Sequence, residues 1–428
     1  MQKHLLLVCI AGVIGARAGA AQTHAGFVTL YSFSGQNGDG YNPAGSLIVG
    51  DHGSLFGTTE FGGSGPCKAN SAAGCGTVFE LSPPASSGGV WTERVLYSFG
   101  SSSGDGEYPY SRLAFGPGGK LYGTTTEGGA RNSGTVFELS PPTDSGATWT
   151  ESVIYSFGGD DGAWPYSGVT LGPSGALYGT TIEGGAYRCG TLFALRPPAS
   201  AGNAWSLAVL HTFSGMADGC QPYGDVAVTS DGMLYGTTAY GALSNGGTVF
   251  SRNLASGNET VLYTFGTQLG DGEGPLAGVT LAASGTLYGT NSYDGLLYPA
   301  SFCFSPIVGC GTAFELQRNS SGGAWAETVL HEFTALDGDG ANPSGGLVIG
   351  KEGALFGTTP NPGTVYQLIP SAAGQAWTET ILHTFTGQNE DGWDPNSNPV
   401  IGPGGELYGT TLGGGTAGKG TVWALTPR

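Results

Sequence analysis

Charged side chains are scarce in this sequence, and basic side chains are the scarcest. Lys and Arg together number 14 against 32 Asp and Glu, which gives a formal net charge of −18 at pH 7. Phosphate backbones and anionic lipid surfaces are bound by clusters of Lys and Arg, which this chain does not have. The composition therefore argues against nucleic acid and charged membranes as partners and leaves neutral or cationic ligands.

Uninterrupted helical stretches are also missing. The chain has 81 Gly and 24 Pro among 428 residues, and these breakers interrupt nearly every window that a long helix would need. Aromatic residues make up 11% of the chain, so there is enough apolar surface to fold despite the high Gly content. The composition predicts an all-β protein.

Residues 1–21 have the features of a secretory signal peptide. Lys3 opens the segment, residues 5–14 are apolar, and residues 18–20 read Ala-Gly-Ala, an A-x-A cleavage pattern. No later apolar run approaches the roughly 20 residues that a membrane helix needs. We therefore expect residues 22–428 to form one exported domain, secreted or periplasmic, with no membrane insertion and no C-terminal anchor.

The decisive feature is an internal repeat. Four motifs recur seven times each: an LYGTT-like pentad, a GTVF-like run, a VLYSF-like strand and DGxxP, with the prolines of successive DGxxP motifs 52–68 residues apart. Each unit thus has room for four short strands with turns, which is typical of a β-propeller blade. The predicted fold is a seven-bladed β-propeller with four antiparallel strands, A to D, per blade.

The two chain ends fit this architecture. The mature chain begins with an isolated D-type strand and ends after a C-type strand, so residues 27–33 are predicted to complete the last blade and close the ring. The predicted blades cover residues of about 43–99, 109–157, 165–213, 222–265, 275–333, 343–385, and 395–428 plus 27–33.

These motifs resemble those of the bacterial GloVer tandem-repeat proteins, whose units carry an LYGTT element, a Gly-rich turn and a GTVF element. The resemblance covers nearly all of the mature chain and implies an exported repeat protein. It implies no established activity, and therefore no catalytic residue.

The repeated acidic residue of DGxxP is predicted to be structural. An Asp followed by Gly accepts backbone hydrogen bonds in a tight turn, and the Pro begins the next strand without needing a donor. Seven equivalent carboxylates do not make seven active sites. These residues are Asp39, Asp105, Asp161, Asp218, Asp271, Asp339 and Asp391.

Loop variation and cysteines point to one face of the propeller. The longest insertions, in blades one and five, both lie between strands B and C, on the face that also carries the D-to-A loops. The six cysteines of the mature chain lie in these loops, and their positions favour three disulfides over metal ligation. The predicted pairs are Cys67–Cys75, Cys189–Cys220 and Cys303–Cys310.

Aromatic residues in the DGxxP loops are the candidate binding residues. Exposed rings beside Asp and Asn can stack on sugars or anchor a protein, although packing between blades is the alternative for each of them. The two possibilities are balanced for Trp164 and Trp393, and packing is favoured for the rest of the set. The candidates are Trp164, Trp393, Tyr41, Tyr108, Tyr166 and Tyr223, with Tyr110 in the same loops.

Evidence for catalysis is weak. No HExxH pair or phosphate-binding loop is present, and His211, His331 and His383 occupy a strand position that is Tyr in other units. We expect no catalytic residue, metal or cofactor and a monomeric chain. The predicted function is binding of a polysaccharide or a cell-envelope protein at the loop-rich face. A polysaccharide lyase or glycoside hydrolase using rim carboxylates and a purely structural envelope protein are the alternatives.

Overall fold

The protein is a closed ring of seven four-stranded antiparallel sheets, as the sequence predicts. The computed structural model describes residues 26–67, 74–86, 88–144, 147–200, 203–293, 309–319, 323–371 and 377–427. No α-helix occurs within those residues. The predicted signal peptide, residues 1–21, lies outside them.

Each blade has its strands in the order A, B, C and D from the central channel outwards, blade one being the sheet that begins with Ile48. The A strands are Ile48–Val49, Ala114–Phe115, Thr170–Leu171, Ala227–Val228, Thr280–Leu281, Val348–Ile349 and Val400–Ile401. The B strands are Leu55–Thr59, Leu121–Thr125, Leu177–Thr181, Met233–Thr238, Leu287–Asn291, Leu355–Pro360 and Leu407–Thr411. The C strands are Thr77–Ser82, Thr135–Ser140, Thr191–Arg196, Thr248–Asn253, Thr312–Arg318, Gly363–Ile369 and Thr421–Leu425. The D strands are Thr92–Ser98, Thr150–Ser156, Ser206–Thr212, Glu259–Thr264, Trp325–Glu332, Thr378–Thr384 and, for blade seven, Phe27–Ser32.

The ring closes between the two ends of the chain, which confirms the prediction made for residues 27–33. Phe27–Ser32 pairs antiparallel with Thr421–Leu425, with Phe27 opposite Leu425. The Phe33 amide donates to the Gly420 carbonyl at 3.0 Å. Short 3₁₀ turns join strands A and B in four blades, at Asp51–Gly53, Pro117–Gly119, Pro173–Gly175 and Lys351–Gly353.

Aromatic pairs fill the space between neighbouring blades. The Phe that ends each VLYSF motif contacts the aromatic residue of the next blade's GTVF motif, with ring centroids 4.9–5.9 Å apart. The Gly of LYGTT makes room for that ring: a Cβ on Gly123 would lie 2.5 Å from the Phe137 ring. The seven pairs are Phe33–Phe79, Phe99–Phe137, Phe157–Phe193, Phe213–Phe250, Phe265–Phe314, Phe333–Tyr366 and Phe385–Trp423.

The first Thr of each LYGTT motif links its blade to the next one. Its buried hydroxyl donates to the backbone carbonyl two residues after the next blade's DGxxP proline, over 2.7–3.5 Å. The Thr hydroxyl reaches the main chain of the next blade at all seven interfaces, although Thr180 lies nearer to the Pro222 carbonyl, at 2.9 Å, than to that of Gly224, at 3.4 Å. The donor–acceptor pairs are Thr58–Ser111, Thr124–Ser167, Thr180–Gly224, Thr237–Ala277, Thr290–Gly345, Thr358–Ser397 and Thr410–Gly45.

The second Thr of LYGTT acts within its own blade. Its hydroxyl bonds the Thr hydroxyl at the start of strand C, as between Thr59 and Thr77 at 2.8 Å. In blade five Asn291 replaces this Thr and donates from Nδ2 to Thr312 at 3.2 Å. The first Thr of the motif thus bonds the next blade, and the second Thr bonds the neighbouring strand of its own blade.

Each DGxxP Asp accepts a backbone N–H from the loop that precedes it, over 2.7–3.1 Å. The same carboxylate bonds a Tyr or His of the preceding D strand, as between Tyr97 and Asp105 at 2.9 Å and between His211 and Asp218 at 3.0 Å. In five interfaces a half-buried Glu from the next D strand lies beside this pair. These glutamates are Glu93, Glu151, Glu259, Glu327 and Glu379.

Thr237→Val should destabilise the protein by about 1–3 kcal/mol, because it leaves the buried Ala277 carbonyl without its donor while preserving side-chain shape. Urea denaturation measures the change. Thr150→Val, on the exposed side of a D strand, is the matched control and should have little effect. Equal losses in the two variants would contradict a role for the interblade bond.

Stability should fall as pH rises from about 4.5 to 8. Burial and the neighbouring Asp raise the pKa of Glu93 to about 7 and those of Glu151 and Glu327 to about 8. The unfolded chain ionises these groups near pH 4.3 whereas the folded protein keeps them protonated, so each one costs stability progressively across that window. After solvent screening the cost is roughly 1–2 kcal/mol per carboxyl.

Glu151→Gln, which imitates the protonated acid, should match the wild type at pH 4.5 and exceed its stability at pH 8. Thermal unfolding across this range measures the effect, with Asp144→Asn on the exposed C-to-D loop of blade two as the control. An unchanged pH slope in Glu151→Gln would show that the carboxyl does not titrate in this window.

Candidate functional site

The D-to-A and B-to-C loops of every blade pair with each other on one face, which we call the loop face. Two-residue ladders join them in three blades, for example Gly40–Tyr41 with Phe61–Gly62. Single bridges join them in the other four blades: Ala163 with Glu183, Cys220 with Tyr240, Glu273 with Tyr293, and Ala341 with Asn361. The alternation of antiparallel strands places these loops together, as expected from the sequence.

Two disulfides stabilise the loop face, which confirms two of the predicted pairs. Cys67–Cys75 closes the blade-one insertion, with Cα atoms 5.2 Å apart. Cys189–Cys220 joins the B-to-C loop of blade three to the loop that leads to blade four. Cys303 lies outside the described residues, so its pairing with Cys310 stays a prediction.

The residue before each DGxxP proline has a left-handed backbone. Six of these seven residues are not Gly, and their φ angles lie between 55° and 60°. Such a conformation costs of order 1–3 kcal/mol and persists only where surrounding contacts hold it. At Trp164 the amide donates to Ser133 of the preceding blade, and the carbonyl accepts from Ile182 of its own blade. These bonds fix where the side chains of Trp164, Tyr108 and Asp394 leave the backbone.

The predicted aromatic residues separate into three groups. Trp164 and Trp393 are 39% and 52% exposed, and they lie three blades apart on the rim. Tyr41 and Tyr108 both pack on Phe61, with ring centroids 5.3 and 5.5 Å from it, and Tyr108 is only 9% exposed. The third group points to the centre of the ring.

Tyr110, Tyr166 and Tyr223 form an arc at the mouth of the central channel. Each follows the DGxxP proline of its blade, and neighbouring rings meet edge to face with centroids 5.2 and 5.5 Å apart. With Ser344 and Asn396 from blades six and seven they line a depression of about 100 Å³, the central depression. Asn396 donates from Nδ2 to the Tyr110 hydroxyl at 3.4 Å.

The tyrosines of the central depression remain neutral phenols near neutral pH. Burial, with Tyr240 and Tyr166 nearby, raises the pKa of Tyr223 to about 12. Burial and the carboxylate of Glu60 raise the pKa values of Tyr110 and Tyr166. Burial also raises the pKa of Glu60 itself. The depression therefore offers hydroxyl and amide groups beside aromatic rings, with acidic groups around it.

An ion pair lies below the central depression. Arg112 Nε is 2.9 Å from Asp225 Oδ2, and this ion pair joins blades two and four across the channel. The Gly168 amide donates to Asp225 Oδ1 at 2.7 Å. Asn398 also belongs to this layer. Its backbone N–H donates to the Ser46 hydroxyl at 2.9 Å.

Sequence reasoning missed this channel layer because it treated the DGxxP loops as uniform rim elements. A signal was present at the third residue after each proline. That position is Gly in three repeats but Arg112, Asp225 and Asn398 in three others. A charged residue at a position that is Gly in other repeats indicates that its side chain has a role beyond forming the blade.

One group of potential metal ligands occurs among the described residues apart from the Cys67–Cys75 disulfide and its neighbour Glu107. His331, Asp339 and Glu379 bring three ligand-type atoms within 4.8 Å of one another at the interface of blades five and six. The two carboxylates raise the pKa of His331 despite its burial. That favours the protonated imidazolium, which pairs with Asp339 and Glu379 at 3.3 and 3.7 Å.

A family model described as the Gloeobacter/Verrucomicrobia repeat matches residues 18–150 and 65–302. The chain belongs to this repeat family. The resemblance of its LYGTT and GTVF motifs to the GloVer proteins is thereby confirmed. No curated protein matches the GloVer chain. No helix in the described part of the chain is long and apolar enough to span a membrane.

Solved structures share the fold of the GloVer chain at low sequence identity. A fungal alcohol oxidase of the AA5 family, in complex with copper, has a TM-score of 0.50 and 13% identity, covering 94% of this chain and 75% of that one. A candidate 6-phosphogluconolactonase from Bacteroides fragilis has a TM-score of 0.49 and 15% identity, covering 83% and 86%. Identities this low show the propeller fold alone.

Proposed function

We propose that this protein is an exported, non-catalytic module that binds neutral carbohydrate at the central depression of the loop face. The arc of Tyr110, Tyr166 and Tyr223 opposite Ser344 and Asn396 carries the proposal. Aromatic rings stack on the apolar faces of sugar rings, and the hydroxyl and amide groups bond sugar hydroxyls.

The charge around the depression and its size limit the kind of ligand. Glu60 and Asp394 lie close enough to Tyr110 to raise its pKa, so an anionic sugar stacked on that ring would meet acidic groups, whereas the Arg112–Asp225 ion pair lines the base of the depression. The depression of about 100 Å³ is far smaller than the roughly 300–1,000 Å³ of a drug-sized pocket. It suits one sugar ring or the end of a chain, and Trp164, in the same loop as Tyr166, extends the surface for further units.

Export is supported by the disulfides and the leader. Disulfides form and persist in oxidising compartments, and the chain has two among its described residues. The predicted signal peptide at residues 1–21 gives the route. These features favour the periplasm or the cell exterior, where polysaccharides and envelope proteins are the available partners.

Glycan-array screening followed by calorimetry tests the proposal. Neutral oligosaccharides should bind, uronic-acid oligomers should not, and Tyr166→Ala should weaken binding about tenfold because a stacking surface is lost. Tyr166→Phe should retain most of the affinity. Trp393→Ala, three blades away, serves as the exposed-aromatic control and should leave a short ligand unaffected.

Two results would reject this function. Absence of binding to any glycan would favour a structural envelope protein, and equal losses in Tyr166→Ala and Trp393→Ala would point to a nonspecific aromatic surface. Binding of a purified envelope protein in place of glycans would favour the protein-interaction alternative.

A glycoside hydrolase or lyase is the second candidate, and the pKa values of two carboxyls favour it. Burial raises the pKa values of both Glu60 and Asp394. Both carboxyls lie close enough to Tyr110, at the central depression, to raise the pKa of its hydroxyl. A carboxyl with a raised pKa is suited to general acid catalysis of glycosidic cleavage. Release of reducing ends from a bound glycan, lost in Glu60→Gln with binding retained, would establish this activity.

A further inference from the structure

The central channel contains a second and larger cavity below the Arg112–Asp225 ion pair, which we call the inner chamber. It has a volume of about 460 Å³ and is surrounded by the innermost strands of the ring. The partly exposed aliphatic residues Val228, Leu281, Val348 and Val400 line it, together with Thr170 and Thr280. The size and the apolar walls match those of small-molecule sites rather than those of a polar water channel.

Apart from Thr170 and Thr280, the polar side chains of the inner chamber lie at its boundary with the central depression, which they also line. Arg112, Asp225, Ser46 and Asn398 all line it there. Asp225 is already bonded on both oxygens, by Gly168 and Arg112. Asp225 therefore has little acceptor capacity left for a ligand, and we do not treat it as the main binding group.

The remaining groups at this boundary are donors. Arg112 uses Nε for Asp225, and in the described part of the chain its terminal nitrogens make no hydrogen bond. Asn398 accepts from Gly346 through Oδ1, and its Nδ2 has no acceptor among the described residues. A guanidinium has five N–H donors in a fork that fits a carboxylate.

We propose that the inner chamber binds a small amphipathic carboxylate, with its head group on Arg112 and Asn398 and its hydrocarbon body along the valines. Apolar walls make poor hydrogen-bond partners for water. Transfer of an alkyl chain from water into the chamber is therefore favourable.

The inner chamber shares the layer of Ser46, Arg112, Asp225 and Asn398 with the central depression, but the two cavities differ in their other walls. Tyr110, Tyr166 and Tyr223 lie on the other side of the ion pair and do not line the inner chamber. Tyr166→Ala therefore tests the carbohydrate site alone, and Val228→Phe tests the inner chamber alone.

Calorimetric titration of the full mature protein with sodium octanoate tests the proposal, with octylamine hydrochloride as the probe of opposite charge. Octanoate should bind with a one-to-one stoichiometry, and octylamine should bind at least tenfold more weakly. Val228→Phe, which fills the chamber, should weaken octanoate binding at least tenfold. Val28→Phe, on the exposed outer strand of blade seven, is the matched control and should not change it.

The head-group contact is tested separately with Arg112→Lys, which keeps the charge but not the fork and should weaken octanoate binding several-fold. If that variant does not fold, Asn398→Ala provides the second test of the same contact. No octanoate binding, equal binding of octylamine, or equal affinity in Val228→Phe and Val28→Phe would overturn the proposal.

Discussion

The structure depends on a hydrogen bond between blades. At every interface a buried Thr hydroxyl reaches the main chain of the next blade, and an aromatic pair packs beside it. A four-stranded sheet presents two apolar faces and cannot bury them alone. The bond fixes the position of each inner strand relative to its neighbour, and thereby the width of the central channel and the positions of everything that lines it.

Much of the fold could be predicted because the repeat appears seven times in the sequence. Blade number, ring closure and two disulfides all follow from the spacing of motifs and of Cys67, Cys75, Cys189 and Cys220. The contact partners could not be predicted. Strand periodicity indicates that both threonines of LYGTT lie in strand B. Which of the two bonds the next blade depends on how adjacent sheets are placed against each other, and the sequence does not show this.

The candidate site was predicted less well, for a related reason. Trp164 and Tyr166 are two residues apart in one loop, yet one ring lies on the rim and the other faces the channel. The left-handed backbone before the proline produces this divergence, and its φ angle is not encoded by residue type, since Asn, Tyr, Trp, Gln and Asp all adopt it. The histidines bond the same DGxxP carboxylates that Tyr bonds in other units, which agrees with their interchangeable position in the repeat.

The meeting of the two chain ends in one blade has a mechanical consequence. Phe27 lies opposite Leu425 in an antiparallel pair, and the Thr426 amide donates to the Gly26 carbonyl. Tension applied to the termini would therefore load these hydrogen bonds one after another, peeling the strand away rather than shearing all of its bonds at once. A tether attached at either end would make blade seven the first part of the protein to yield.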